Sequence, residues 1–128
     1  MYIEHIAITS NSEQDSDKFF CELLGLEKVR EFIVSADLME LFFNIKKDQK
    51  VIRYENNQIN LEVFINNDQS GIKDKFKHIC IVVENKLKFI EKAEVMGYNV
   101  IKVARKDNND FYLFLKDNLG NLYEIKSS

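Results

Sequence analysis

Apolar and polar residues alternate in a pattern that occurs twice along this chain. In the first half, Ile6 and Ile8 alternate with polar and small residues over 2–9, which predicts a strand. An amphipathic stretch follows, with Ser12 as the candidate N-cap of a helix and Gly25 as the residue that ends it. Strands are then predicted at four segments rich in β-branched and aromatic residues, 26–34, 38–46, 50–55 and 59–65.

The same order of elements begins again after a polar run at 66–71. A strand is predicted at 76–83, and a helix with Asn85 as its N-cap runs to Met96, where Gly97 ends it. The buried face of this helix is predicted to include Leu87, Ile90 and Ala93. Further strands are predicted at 98–105, 110–116 and 121–126, and turns are predicted between them at 106–109 and 117–121. Each half is therefore a strand, a helix and roughly three strands, which predicts an α+β fold of two tandem βαβββ modules, at about 1–66 and 75–128, in a single domain of 128 residues.

Composition and charge exclude several classes of partner. The net charge is −3, with 18 basic and 21 acidic side chains, so the chain lacks the basic stripe of a nucleic-acid-binding protein and the polybasic patch of a membrane-surface protein. No signal peptide and no apolar run long enough to span a bilayer are found, which predicts a cytoplasmic protein. Cys21 and Cys80 are expected to be reduced, buried apolar residues. Cys80 lies two residues after His78 on the same strand face, so lining a pocket is its alternative role.

The candidate chemistry lies in the repeat itself. His5 and His78 are the two histidines of the chain, 73 residues apart, and each begins a module on its first predicted strand. Strand alternation places Glu62, on the last strand of the first module, and Glu124, on the last strand of the second, on the face away from the aliphatic residues. Two imidazoles and two carboxylates suit a divalent ion such as Zn, Ni, Mn, Co or Fe.

Each of these residues also has a simpler interpretation. A single histidine on a strand is more often a structural or exposed residue than a ligand, and Glu62 alone fits a solvent-facing strand position. Phe43, Phe64, Phe111 and Leu113 fit the walls of a substrate site, but core packing is the commoner role of such residues. The duplication, with carboxylates matched to both histidines, favours the ligand set.

Two stretches carry a resemblance to a known family. The run 117–124, Asp-Asn-Leu-Gly-Asn-Leu-Tyr-Glu, resembles the closing D-x-x-G-N-x-x-E element of the vicinal oxygen chelate superfamily. The run 20–26, Phe-Cys-Glu-Leu-Leu-Gly-Leu, resembles the end of that family's first helix. The resemblance covers the whole chain and implies two curved sheets around a metal-binding cleft. The family includes glyoxalase I, bleomycin-resistance proteins, fosfomycin-resistance enzymes, extradiol dioxygenases and methylmalonyl-CoA epimerase.

Within this family the pattern is most like glyoxalase I, which has His, Glu, His and Glu as metal ligands. The resemblance implies that His5, Glu62, His78 and Glu124 bind a divalent metal ion of open identity. It also implies a lyase or isomerase of lactoylglutathione lyase type, acting on the hemithioacetal of a 2-oxoaldehyde by proton transfer through a metal-stabilised enediolate. Glu124 and Glu62 are the candidates for the residue that moves the proton.

Other functions on the same scaffold stay open. Arg30, Arg53 and Arg105 match no motif for glutathione carboxylates. Neutralising an anionic substrate is one candidate role of Arg53, but a solvated surface position is the commoner one and is expected here. A non-catalytic, drug-binding resistance protein is the main alternative. The other alternative is a different enzyme on the same scaffold, namely an epimerase, a thiol-transfer resistance enzyme or a dioxygenase. Within the family, dioxygenases and fosfomycin enzymes resemble one another in using His, His and Glu alone as metal ligands. A small-molecule substrate and a homodimer are expected in each case.

Overall fold

The structure is a computed structural model, and it describes residues 2–66, 73–74, 76–106 and 109–128. The chain divides into two compact units, Met1–Gln69 and Ser70–Ser128, and each is described by itself. Most of the predicted seam at 66–71 and the middle of the predicted turn at 106–109 lie outside the described residues. No helix in the described part of the chain is long and apolar enough to cross a membrane.

The first unit is one four-stranded sheet with two helical segments. Its strands are β1 (Ile6–Ser10), β2 (Glu27–Val34), β3 (Gln49–Glu55) and β4 (Asn60–Ile65), and its helices are α1 (Glu13–Asp17, continued by the wider π-helical turn Lys18–Leu23) and α2 (Ala36–Phe43). The strand order is β1-β4-β3-β2, with β1 and β4 parallel and the other neighbours antiparallel. The parallel pair joins the beginning and the end of the unit.

The second unit repeats this sheet. It contains β5 (His78–Val83), α3 (Lys86–Val95), β6 (Asn99–Ala104), β7 (Phe111–Lys116) and β8 (Leu122–Ser127). The strand order is β5-β8-β7-β6, and again the first and last strands of the unit pair in parallel. The predicted α+β fold of two βαβββ modules is therefore confirmed.

Local capping explains where the predicted helices begin and end. The Ser12 hydroxyl accepts a hydrogen bond from the Asp15 amide at 3.1 Å, and the Asn85 side chain accepts one from the Lys88 amide at 3.1 Å, so both predicted N-caps are confirmed. Gly25 and Gly97 follow α1 and α3 with φ of 72° and 87°, a conformation that glycine adopts without a steric penalty.

One predicted strand is a helix, and one predicted core residue is exposed. The segment 38–46 was expected to be a strand, but most of it lies in α2. The Ser35 hydroxyl accepts from the Leu38 amide, and the Asp48 carboxylate accepts from the Ala36 amide at 2.8 Å, so the first turn is capped twice. These caps outweigh the strand preference of the aromatic residues. In α3, Leu87 was expected in the core but is 56% exposed.

Strand alternation sorts each sheet into two faces. In β4, Leu61 and Val63 are buried, and in β8, Tyr123 and Ile125 are buried. The helices add further buried side chains to each unit, such as Phe20 of α1, whose ring lies 5.2 Å from that of Tyr54, and Ala93 of α3. The opposite face of each sheet, called the site face below, carries Glu62 in the first unit and Glu124 in the second, as the alternation predicts.

Two lysines of the first sheet form hydrogen-bonded ion pairs with acidic residues of α1. The Lys28 ammonium donates to Glu13 at 2.6 Å and to Asp17 at 3.1 Å, and the Lys50 ammonium donates to the second oxygen of Glu13 at 2.5 Å. The hydrogen bond from Lys28, followed by that from Lys50, lowers the pKa of Glu13 to about 2. Glu13 is therefore held as a carboxylate through most of the acid range.

This pKa predicts a specific loss of stability in acid. A carboxyl group whose pKa is lowered by folding stabilises the native state above its ordinary pKa of 4.5, and this contribution disappears as the pH falls toward 2. Urea unfolding at several pH values is expected to show that the free energy of unfolding falls less steeply between pH 4.5 and 2 in Glu13→Gln than in the wild type. The effect is modest because the group lies near the surface. The exposed Glu22→Gln is the control, and equal slopes in Glu13→Gln and the wild type would contradict the prediction.

Candidate functional site

The first unit brings His5 against Glu62. His5 lies immediately before β1 rather than within it, and its Nε2 is 3.3 Å from Oε2 of Glu62. The parallel register of β1 and β4 causes this approach, because Ala7, two residues after His5 on the same face, lies opposite Glu62. Two of the four candidate ligands, one imidazole and one carboxylate, are thus adjacent within this unit.

The other ring nitrogen of His5 faces a second carboxylate. His5 Nδ1 is in close hydrogen-bond contact with Glu4. A hydrogen bond from Arg53, followed by that from His5, lowers the pKa of Glu4 and keeps it ionised. Because an ionised carboxylate only accepts, Nδ1 is the nitrogen that donates to Glu4, and Nε2 is the nitrogen that faces Glu62. A carboxylate behind the ring in this way is typical of histidines that bind metals.

Arg53 was expected to be a solvated surface residue, and this prediction is wrong. It lies opposite Glu62 in the register of β3 and β4, and its side chain is only 19% exposed. Its guanidinium contacts Glu4 closely and lies 3.5 Å from Glu55 and 3.7 Å from Glu62. No local pattern in the sequence signals this role, because only the long-range register brings the arginine to the carboxylate.

The second unit contains the matching pair. His78 Nε2 is 3.6 Å from Oε2 of Glu124. His78 Nδ1 lies 2.8 Å from the backbone carbonyl of Phe76, which can only accept, so Nδ1 is the donor and Nε2 is again the nitrogen that faces the carboxylate. The Phe114 ring packs edge-on against the imidazole at 5.8 Å. Cys80 lies opposite Glu124 in the register and is exposed, so the prediction that it is a buried apolar residue is wrong.

The two pairs have nearly the same exposure but different surroundings. The histidine side chains are 38% and 39% exposed, and the glutamate side chains are 17% and 19% exposed. Arg53 lies opposite the glutamate in the first unit, whereas Phe114 has that position in the second. The duplication is therefore preserved at the candidate ligands and lost at the residues beside them.

Each pair has the chemistry and spacing of two ligands of one ion. Ligands bound at 2.0–2.2 Å with ordinary bond angles lie roughly 3–3.4 Å apart, close to the 3.3 Å and 3.6 Å found here. Among the described residues, no group of three or more His, Cys, Asp and Glu side chains is arranged to hold a metal within either unit. Each unit by itself thus offers one nitrogen and one oxygen donor, which fits half of the predicted ligand set.

A pocket of about 250 Å³ lies beside the first pair. Phe43 of α2 and Phe64 of β4 line it, as their candidate role as wall residues requires, and their rings meet edge-on at 5.6 Å. Leu113 is instead part of the core, 2% exposed, and the Phe111 ring lies beneath the Lys86 and Lys102 side chains. Two of the four candidate wall residues therefore have that role in the first unit.

Comparisons with solved structures agree with this architecture. A glyoxalase family protein from Enterococcus faecalis matches with a TM-score of 0.71 and 19% identity, over 97% of this chain and 95% of its own. Leishmania major glyoxalase I matches with a TM-score of 0.73 and 20% identity, over 99% and 86%. A mutant of the fosfomycin resistance protein FosX from Listeria monocytogenes, complexed with Mn(II), matches with a TM-score of 0.68 and 10% identity, over 99% and 92%.

At these identities the structural matches demonstrate the fold alone. Among curated proteins, none matches the chain. The family model of the glyoxalase/bleomycin resistance protein/dioxygenase superfamily, however, matches residues 2–125, which is nearly the whole chain. This chain therefore belongs to the glyoxalase/bleomycin resistance protein/dioxygenase superfamily, also called the vicinal oxygen chelate superfamily.

Proposed function

We propose that this chain is a metal-dependent lyase or isomerase of glyoxalase I type, acting as a homodimer on a small substrate with two adjacent oxygens. One observation carries the proposal: in each unit an imidazole Nε2 faces a carboxylate while its Nδ1 is engaged by an acceptor behind the ring. Imidazoles oriented in this way are prepared to bind a divalent ion.

The proposed ligands are His5, Glu62, His78 and Glu124. The spacing within each pair supports the assignment of both donors of that pair to one ion, and the resemblance to glyoxalase I supports the assignment of the two pairs to the same ion. Glu4 and the Phe76 carbonyl fix the tautomers of the two histidines. The donor set leaves the identity of the metal open.

The chain's own groups then supply the proton transfer. A bound divalent ion would act as a Lewis acid toward the two adjacent substrate oxygens. Glu62 or Glu124 takes the proton from the carbon beside those oxygens and returns it to the neighbouring carbon. Both side chains are mostly buried, so water competes little for that proton. Arg53 lies 3.7 Å from Oε1 of Glu62, the oxygen other than the one that faces His5, and balances part of its charge.

A second candidate function is non-catalytic binding of a small apolar molecule. The aromatic pocket beside the first pair favours it, because such pockets bind drug-sized ligands through apolar contacts. This function requires no metal. Metal content therefore separates the two candidates.

The proposal is tested first by metal analysis. Protein purified without chelator is expected to hold about one divalent ion per chain, and His5→Ala and His78→Ala are each expected to lose most of it, because each removes a proposed nitrogen ligand. The exposed Glu91→Gln is the matched control and is expected to keep its metal. Full metal content in both histidine variants would contradict the proposed ligands.

The second part of the test is an activity assay. Methylglyoxal is supplied with several thiols, since no arginine of the chain matches a glutathione-binding motif. Isomerase activity with at least one hemithioacetal, lost on dialysis against a chelator and restored by a divalent ion, is the expected result. A metal-loaded protein without activity on any of these hemithioacetals would overturn the assignment to glyoxalase I chemistry. Light scattering of the same samples tests the homodimer.

A further inference from the structure

The two units differ most in the connection between their second and third strands. Between β2 and β3 the connection spans 35–48 and contains α2, whereas the matching connection between β6 and β7 spans only 105–110. Helix α2 therefore breaks the internal repeat. Its Met39 is 3% exposed, while most of its other apolar side chains are exposed, so the helix is anchored mainly through this residue.

Helix α2 covers one end of the site face of the first sheet. Val51 is on that face, since it lies opposite Phe64 in the register, and it is fully buried there. Gln49, at the start of the same strand, is 4% exposed and donates to the Ile65 carbonyl at 2.6 Å. The pocket of about 250 Å³ lies where this covered end meets the open remainder of the face.

The pocket begins next to the proposed ligands on both strands. Ala7 and Phe64 line it, and they follow His5 and Glu62 by two residues on the same face. Two residues along a strand correspond to roughly 6.5–7 Å. A group attached directly to the reacting end of a substrate bound at His5 and Glu62 can therefore reach the pocket.

The lining determines what kind of group fits. Met39, Phe43 and Phe64 provide aromatic and thioether surface, and among the described residues Lys47 is the one charged residue of the lining. A charged group would lose its hydration there without a matching partner for most of its surface. A dry cavity of about 150 Å³ already accepts benzene, so a pocket of about 250 Å³ holds an aryl ring.

We propose that the α2 pocket binds an uncharged aryl or branched alkyl group carried next to the two adjacent oxygens of the substrate. This rests on the proposed function for the position of those oxygens. The preferred substrate is then an aryl-substituted or branched 2-oxoaldehyde adduct rather than the methyl compound. Met39 and Phe43 are the residues that determine this specificity.

Two hydroxamates test the proposal, because both chelate metals through adjacent oxygens and they differ in the attached group. Benzohydroxamate is expected to bind the metal-loaded protein about 30-fold more tightly than acetohydroxamate, from the extra apolar area that a phenyl ring buries. A second readout uses metal-free protein labelled at the methionine methyl groups. Met39 is one of three methionines, and its methyl resonance is expected to shift with benzohydroxamate while that of Met96 stays fixed.

Two variants test whether the phenyl ring of benzohydroxamate binds in the α2 pocket. Ala7→Phe fills the pocket from an exposed strand position that tolerates an aromatic residue, and it is expected to abolish both the preference for benzohydroxamate and the shift of the Met39 resonance in metal-free protein. Phe43→Ala removes a half-exposed wall residue and is expected to lower the preference about fivefold. Val95→Phe, on the exposed surface of α3, adds the same ring outside the pocket and serves as the control.

The outcomes separate this proposal from the proposed function. Equal binding of both hydroxamates to metal-loaded protein, with a fixed Met39 resonance, overturns the α2 pocket and leaves the metal function intact. A preference that persists in Ala7→Phe also overturns it, because the ring then binds elsewhere. A shifted Met39 resonance in a protein that binds no metal supports the pocket and overturns the proposed function.

Discussion

Replacing Glu62 with glutamine is expected to lower kcat for hemithioacetal isomerisation by about 10²–10⁴-fold, because Glu62 is one of the two residues proposed to move the proton and a group of this kind usually contributes this much. Glutamine keeps the size of the side chain and one acceptor oxygen, but it cannot take a proton from carbon. The Nε2 of His5, now 3.3 Å from a carboxylate oxygen, would lose its anionic neighbour. Steady-state kinetics on the metal-reconstituted variant measure the effect.

The same variant separates classes of reaction within the superfamily. A reaction that requires His, His and Glu alone would use His5, His78 and Glu124, and Glu62→Gln would then retain most of its activity. Such retention, with metal still bound, would contradict the glyoxalase I type and favour a dioxygenase or thiol-transfer type. Glu91→Gln, which removes one exposed carboxylate from α3, is the control for the change in charge.

The fold itself is expected to survive Glu62→Gln. Arg53 lies 3.7 Å from Glu62, but it keeps its close contact with Glu4 and its 3.5 Å contact with Glu55 when Glu62 loses its charge. No buried cation is therefore left without a partner among these described residues. A change of less than about 1 kcal/mol in the free energy of unfolding is expected, on the scale of a partly exposed ion pair, so a loss of activity would report on chemistry.

Replacing Asp117 with alanine is expected to cost about 3 kcal/mol of folding free energy. One carboxylate oxygen accepts from the amides of Leu119, Gly120 and Asn121 at 2.9–3.1 Å. The other accepts from the Asn121 side chain at 2.7 Å and the Tyr123 hydroxyl at 3.2 Å. Burial raises the pKa of Asp117, and the hydrogen bonds from Asn121 act in the opposite direction. Alanine would leave these donors, including a nearly fully buried tyrosine, without this acceptor.

Thermal unfolding measures this loss, expected to be about 12 °C in Tm for a chain of this size. Asp117→Asn is expected to lose less, because the amide oxygen still accepts from part of the turn. Asn118→Ala changes an exposed residue of the same turn and is the matched control. If Asp117→Ala had the same Tm as Asn118→Ala, the stabilising role given to the Asp117 carboxylate would be contradicted. Because β8 and Glu124 follow this turn directly, a loss of metal affinity is expected to accompany the loss of stability.

Part of the candidate site was predictable from local sequence. Side chains alternate along any strand, so the alternation of Leu61, Glu62 and Val63 was enough to place Glu62 on the site face. The same reasoning held for Glu124. Capping is local as well, and Ser12 and Asn85 begin their helices where the sequence predicts.

Other features depended on pairing between distant parts of the chain. The approach of His5 to Glu62 and the position of Arg53 follow from the registers of β1 with β4 and of β3 with β4, and alternation says nothing about register. Helix α2 also escaped prediction, since its caps at Ser35 and Asp48 were weaker signals than its aromatic residues.

The sequence alone thus determined the duplicated α+β architecture, the faces of its strands and the candidate ligands His5, Glu62, His78 and Glu124, because period and capping are properties of neighbouring residues. Tertiary structure decided which nitrogen of each histidine faces its carboxylate, which residue lies beside each glutamate, and where α2 closes a pocket. These features depend on contacts between segments far apart in sequence, and only the folded chain forms those contacts.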